Sequence, residues 1–196
     1  MDLHVLPEGI TAQDIAEMHQ EDLKIEHHFH CRGLTYWCDE KRQTAFCLMD
    51  APNKQAVIDL HQKAHGAIPQ RIIEVNETIV ESFLGRIQDP VKSQKTNLNI
   101  VNNPSFRIMV VLKLEKDKVQ DSVALLPKAS LEEISITVAV NDGRIVRQSE
   151  DSLLIVFDTT TNAIKATIAI KKLLSQIKKA SFQSHIGVCA GLPVTE

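Results

Sequence analysis

The sequence predicts an α+β chain of two ferredoxin-like βαββαβ domains in tandem, each an antiparallel sheet with helices on one face. Three observations carry this. The order strand, helix, strand, strand, helix, strand is complete by about residue 76. The same order returns from about residue 106 with longer connections. A polar stretch with Asp89-Pro90 and Asn102-Asn103-Pro104 lies between them. The expected organisation is a domain over residues 1–76, a helix and linker over 77–105, and a domain over 106–196. A chain of 196 residues suffices for two small domains.

Each element has its own signal. Leu3–Leu6 is a short apolar run stopped by Pro7 and Gly9. Thr11 with Asp14 three residues later resembles a capping box, opening a helix that carries Ile15, Met18, Leu23 and Ile25. Leu34–Cys38 and Ala45–Met49 are β-rich runs around a polar loop, Asp39–Thr44. Pro52 and Asn53 start a second helix, Gly66 stops it, and Arg71–Val75 is the last strand of the set. Thr78–Arg86 reads as a short helix and Gln88–Ser105 as a linker. In the second half, Arg107–Leu114 is a strand and Leu131–Val140 a helix, despite its β-branched residues. Arg144–Gln148 and Leu153–Phe157 form a hairpin, Asn162–Lys179 an amphipathic helix, and His185–Ala190 a closing strand.

Charge and residue type are unevenly placed. Residues 1–75 hold 12 acidic and 7 basic side chains, and residues 76–196 hold 13 and 15. Seven of eight histidines and three of four cysteines fall within the first 65 residues. Acidity with imidazole and thiol favours a transition-metal cation and excludes nucleic acid, which needs a basic face with aromatic platforms. Aromatic residues make up only 4% of the chain. No apolar run is long enough to span a bilayer, and Met1-Asp2-Leu3-His4 lacks the basic start of a signal peptide. The expected setting is cytoplasmic, with reduced thiols and no membrane partner.

His61 and His65 stand i, i+4 on one helix face, close enough to share a cation. Gln62 occupies the place of the zincin general base, which excludes a metalloprotease. Cys47 can join that pair from the neighbouring strand. His19 and Asp22 share a face of the first helix, where Asp22 can orient an imidazole. The tract His27, His28 and His30 reads as surface at a helix end. Tyr36 and Trp37 face opposite sides of a strand, one toward the core and one toward a pocket or a dimer interface.

Asp2-Leu3-His4, His19-x-x-Asp22-Leu23, Tyr36-Trp37-Cys38-Asp39-Glu40, Phe46-Cys47-Leu48-Met49-Asp50-Ala51-Pro52 and His61-Gln62-Lys63-Ala64-His65-Gly66 together carry a resemblance. Residues 1–76 resemble a family of ferredoxin-like proteins, a domain of unknown function with a nickel-binding member. The resemblance implies a β-sheet homodimer and a histidine-containing metal site. His4, His19, Cys47, His61 and His65 form the candidate ligand set. Nickel is the expected ion, with zinc and copper as alternatives. Asp50 stands where the family pattern has Glu.

Gly143-Arg144-Ile145-Val146 through Ser149-Glu150-Asp151-Ser152-Leu153 to Phe157, with Asn162–Ala166 and His185–Gly191, resembles class III adenylate/guanylate cyclases over about residues 106–194. Such cyclases hold two metal ions with two aspartates. Only the second is kept, as Asp151 between Glu150 and Ser152 in place of both glycines. The first strand, Val110–Glu115, has no aspartate at the matching place. The resemblance therefore implies a truncated, catalytically silent module.

The expected function is non-enzymatic transition-metal binding, for sensing or storage, beside that silent module. The alternatives are a small dimeric enzyme with a pocket histidine as general base and a nucleotide-binding regulatory module.

Overall fold

The structure, a computed structural model, describes residues 1–90, 98, 100–116, 126–177 and 182–192. It divides into two compact units, one built on Met1–Ser105 and one that starts at Phe106. Each unit carries a four-stranded antiparallel sheet with helices, as the alternating order of elements requires.

In the first unit, β1 (Asp2–Val5), β2 (Arg32–Asp39), β3 (Thr44–Asp50) and β4 (Arg71–Ile72) lie in the order β2-β3-β1-β4. The helices are α1 (Ala12–Ile25), α2 (Lys54–Ala64) and α3 (Glu77–Leu84). The register puts Asp2 opposite Cys47 and His4 opposite Ala45. Directly opposed side chains share a sheet face, so Asp2, His4 and Cys47 project together. Tyr36 and Cys38 of β2 join that face and pack against Ala12, Ile15 and Ala16 of α1.

Trp37, on the other face of β2, is fully buried, with the Arg86 guanidinium 4.5 Å above its ring. Tyr36 and Trp37 therefore point to opposite sides, and both are core residues.

Local chemistry sets the helix ends that matter for function. Asp14 accepts hydrogen bonds from the Thr11 N–H (2.8 Å) and hydroxyl (2.7 Å), completing the capping box with Asp in the Glu position. Asn53 Oδ1 accepts from Ala56 N–H at 2.9 Å and caps α2. Gly66, at φ 78°, ends it with its N–H on the His61 carbonyl at 2.9 Å. These two stops bound α2, and burial of Val57, Leu60 and His61 turns that face of the helix inward.

Two sequence expectations change in extent. The strand expected over Arg71–Val75 keeps only Arg71–Ile72, and α3 stops at Gly85, which has φ 89°. Part of the expected linker is packed core. Val101 is buried and donates its N–H to the Tyr36 hydroxyl at 2.9 Å. Residues 91–97 and 99 of that linker lie outside the described residues, as do residues 178 and 179 of the last expected helix.

The second unit orders β5 (Arg107–Lys116), β6 (Arg144–Gln148), β7 (Ser152–Phe157) and β8 (Phe182–Gly191) as β6-β7-β5-β8. Ile108, Val110, Leu112 and Leu114 alternate inward along β5 and meet Ile134 and Val138 of α4 (Lys128–Val140). Ala163, Ala166, Ile170 and Leu174 of α5 (Thr160–Gln176) complete this core. The β-branched α4 is helical because burial of that stripe outweighs propensity. Ser135 and Thr137 return their hydroxyls to carbonyls four residues back.

Asn53→Ala removes the α2 cap and is expected to destabilise the first unit by about 1 kcal/mol. Trp37 is the sole tryptophan, so its fluorescence during urea unfolding reads this change.

Candidate metal centre

Four elements of the first unit bring ionisable side chains together under the sheet. His61 and His65 come from α2, Asp22 from the last turns of α1, and Asp2 and His4 from β1, with Cys47 opposite Asp2 on β3. His61 is central. Its Nδ1 lies 3.1 Å from a carboxylate oxygen of Asp22 and 3.2 Å from His65 Nε2. Its Nε2 lies 3.5 Å from Asp2 Oδ2 and makes no hydrogen bond. His65 Nε2 is 3.3 Å from Asp22, and His4 Nε2 is 3.0 Å from Asp2 Oδ1. Asp2, Asp22 and His61 are each at most 2% exposed. Two groups result, Asp22 with His61 and His65, and Asp2 with His4 and Cys47.

Burial alone would drive these groups neutral. For His61 it lowers the pKa, but the carboxylates of Asp2 and Asp22 outweigh it and raise the value to about 9. Burial likewise pushes Asp2 upward, and His4 and His61 reverse this and hold it well below the usual carboxylate range. Asp22 follows the same pattern against His61 and His65. The Cys47 thiol is pushed well above its ordinary range by burial and then by Asp2 and Asp22. Without a cation, then, His61 is an imidazolium between two carboxylates.

The protons fit the first group poorly. His65 Nδ1 accepts the Ala67 N–H at 3.1 Å, which places the ring proton of the neutral imidazole on Nε2. Two N–H donors, His61 Nδ1 and His65 Nε2, therefore stand 3.2 Å apart and converge on one carboxylate. A single cation there would replace two opposed protons. The spacing suits one: donors bonded to an ion at about 2.1 Å are separated by about 3.0–3.4 Å, and these three separations are 3.1, 3.2 and 3.3 Å.

His4, His19, Cys47, His61 and His65 all line one cavity of about 320 Å³. Four of these five belong to the two groups, and His19 does not. Its Nε2 faces Asp89 Oδ2 at 3.5 Å, and its ring lies against Tyr36 at 5.1 Å. The i, i+3 spacing that paired His19 with Asp22 is real on the helix, yet Asp22 turns to α2 instead. Asp2 and Asp22 were missing from the expected ligands. A signal for Asp2 existed: Asp2 and His4 alternate with Leu3 and Val5, putting polar residues on the buried face of β1. His27, His28 and His30 are exposed, as their position at the helix end suggested.

In the second unit, Asp151 is held by Lys113. The Ser149 hydroxyl donates to it at 2.9 Å. Glu115 meets only His185, at 3.5 Å and in the open, among the contacts described for it. Among the described residues, both groups of three or more metal-ligating side chains lie in the first unit. No helix among those residues is long and apolar enough to cross a membrane.

Residues 1–75 match a family model described as nickel responsive protein SCO4226-like. The crystal structure of SCO4226 from Streptomyces coelicolor A3(2) is 32% identical, with a TM-score of 0.36, over 38% of this chain and 90% of that one. A bacterial light-regulated adenylyl cyclase is 13% identical, with a TM-score of 0.35, over 96% of this chain and 71% of that one. A further structure of such a cyclase is 11% identical, with a TM-score of 0.27, over 91% and 69%. No curated protein matches the chain.

The raised His61 pKa fixes the sign of a stability effect. Its ion pairs are fully present below the ordinary histidine value of 6.5 and are lost as pH rises toward about 9. The lowered Asp2 and Asp22 contribute above their ordinary 3.8 and are lost as pH falls below it. Metal-free protein is therefore expected to unfold at a higher urea concentration at pH 6 than at pH 9. His61→Gln should shrink that difference.

Proposed function

The chain belongs, through residues 1–75, to the SCO4226-like nickel-responsive family, and from that premise we infer that its first unit binds a divalent transition-metal ion without catalysing a reaction. Nickel is the first candidate, with zinc and copper as alternatives. The observation that carries this reading is the triangle of Asp22, His61 and His65 donor atoms at 3.1–3.3 Å. Imidazole nitrogen with one carboxylate suits nickel, zinc or copper. Asp2, His4 and Cys47 supply a further donor group on the other side of His61. In this reading the chain's own residues do three things. Asp22 and His65 hold the position of the ion, Asp2 orients the His61 ring, and as the ion enters the proton on His61 Nδ1 leaves while that on His65 Nε2 moves to Nδ1.

The second unit accompanies this site as a catalytically silent module. Lys113 on Asp151 supports that, because two-metal chemistry needs free carboxylates at that place. Residues 1–76 then carry the metal, 77–105 form the helix and linker, and 106–196 form the silent module. Four unpaired cysteines support a reducing, cytoplasmic setting, and the assembly proposed with it is a homodimer.

Calorimetry with Ni²⁺, Zn²⁺ and Cu²⁺ tests the site. His61→Ala/His65→Ala should weaken nickel binding by more than about 100-fold, since even outer-shell partners are worth 10–100-fold. Unchanged binding would remove both residues from the site. Nickel affinity should also rise with pH toward about 9, because metal competes with the His61 proton. The silent module should form no cyclic nucleotide from ATP or GTP with Mg²⁺ or Mn²⁺.

A further inference from the structure

The cavity that holds these donors is far larger than an ion needs. It measures about 320 Å³, whereas one water fills about 10–15 Å³ on the same kind of measure. Volumes of about 300–1,000 Å³ are those of sites for small organic molecules. Its lining is also divided. The buried end carries His61, Asp22 and Cys47, and the apolar remainder includes Ile15, Met18 and Leu6. Val5 and Ile68, which also line it, are 57% and 44% exposed. An entry path for a hydrated cation alone would not need an apolar approach, since apolar surface gives the ion no compensation for lost water.

Charge and coordination number say what the second occupant is. Among the three residues that would ligate the ion Asp22 alone is anionic, and the second carboxylate of the buried end, Asp2, is already engaged by His4 at 3.0 Å and faces His61 at 3.5 Å. Three protein ligands leave at least one coordination position open to a further donor. The complement is a single anionic oxygen donor on an apolar body.

Resting on the metal reading above, we propose that this cavity is a ternary site, in which a small aliphatic monocarboxylate binds the ion through its head and the apolar lining through its chain. The carboxylate has no place without the ion, because Asp2 and Asp22 face the same buried end and repel it. Chain length sets affinity, because each added methylene is removed from water against Leu6, Ile15 and Met18. Ile68 stands at the exposed end and meets the tail.

The test is calorimetry with acetate, butanoate, hexanoate and octanoate on metal-free protein and on protein first titrated with Ni²⁺. The expected result is no binding to metal-free protein and, on the nickel form, affinity rising by about fourfold per methylene until the cavity is filled. Ile68→Asp should leave nickel affinity within about twofold and weaken hexanoate by at least about tenfold. Nickel binding with no carboxylate binding, or with affinity flat along the series, would overturn the ternary site and leave the metal reading intact. Hexanoate binding untouched by Ile68→Asp would place the ligand elsewhere and overturn it too. Absence of nickel binding in the first titration would overturn the metal reading, and the ternary site with it.

Discussion

A buried imidazolium between two buried carboxylates organises the first unit. His61 of α2 meets Asp22 of α1 and Asp2 of β1, so one ring ties α2 to two elements that lie 39 residues and more before it in the chain. Removing any of the three leaves a buried charge without its partner, which is strongly destabilising. Such a cluster is a poor way to gain stability, because well-packed apolar side chains would serve as well or better. Its place at the head of a cavity therefore supports the proposal that it binds a ligand there.

In the proposed metal reading, the arrangement holds the site ready without metal. Protons stand in for the cation on His61 and His65, and the ion pairs keep the donors within 3.3 Å of each other. The site is thus shaped in advance, and the exchange of proton for metal needs little rearrangement of α1 or α2. The exception is His65, whose Nδ1 accepts from Ala67 in the metal-free tautomer. Ligation through Nε2 moves the remaining proton to Nδ1 and sets it against that N–H. In that reading the turn at Gly66–Ala67 yields when the site fills.

Much of this was legible in the sequence. Local signals gave the elements: the Thr11 capping box, the Asn53 cap, Gly66 as a stop, and the alternation along β5. Shared fold order followed from them. The histidine and cysteine content of residues 1–65 pointed to the metal reading, and the i, i+4 pair to two residues of the buried cluster. What spacing could not supply was direction. Asp22 sits three residues from His19, yet it faces His61 of α2, while His19 meets Asp89 from beyond α3. Asp2 became a partner only through strand register, which sets it opposite Cys47. Long-range pairing of this kind has no local signature.

The central claim is that Asp22, His61 and His65 converge on one ion. Crystals of the full chain soaked in Ni²⁺ and measured at the nickel absorption edge test it directly. The account predicts an anomalous peak within about 2.3 Å of donor atoms from all three residues. A peak confined to the exposed His27–His30 tract, or no ordered peak in the first unit, would contradict it.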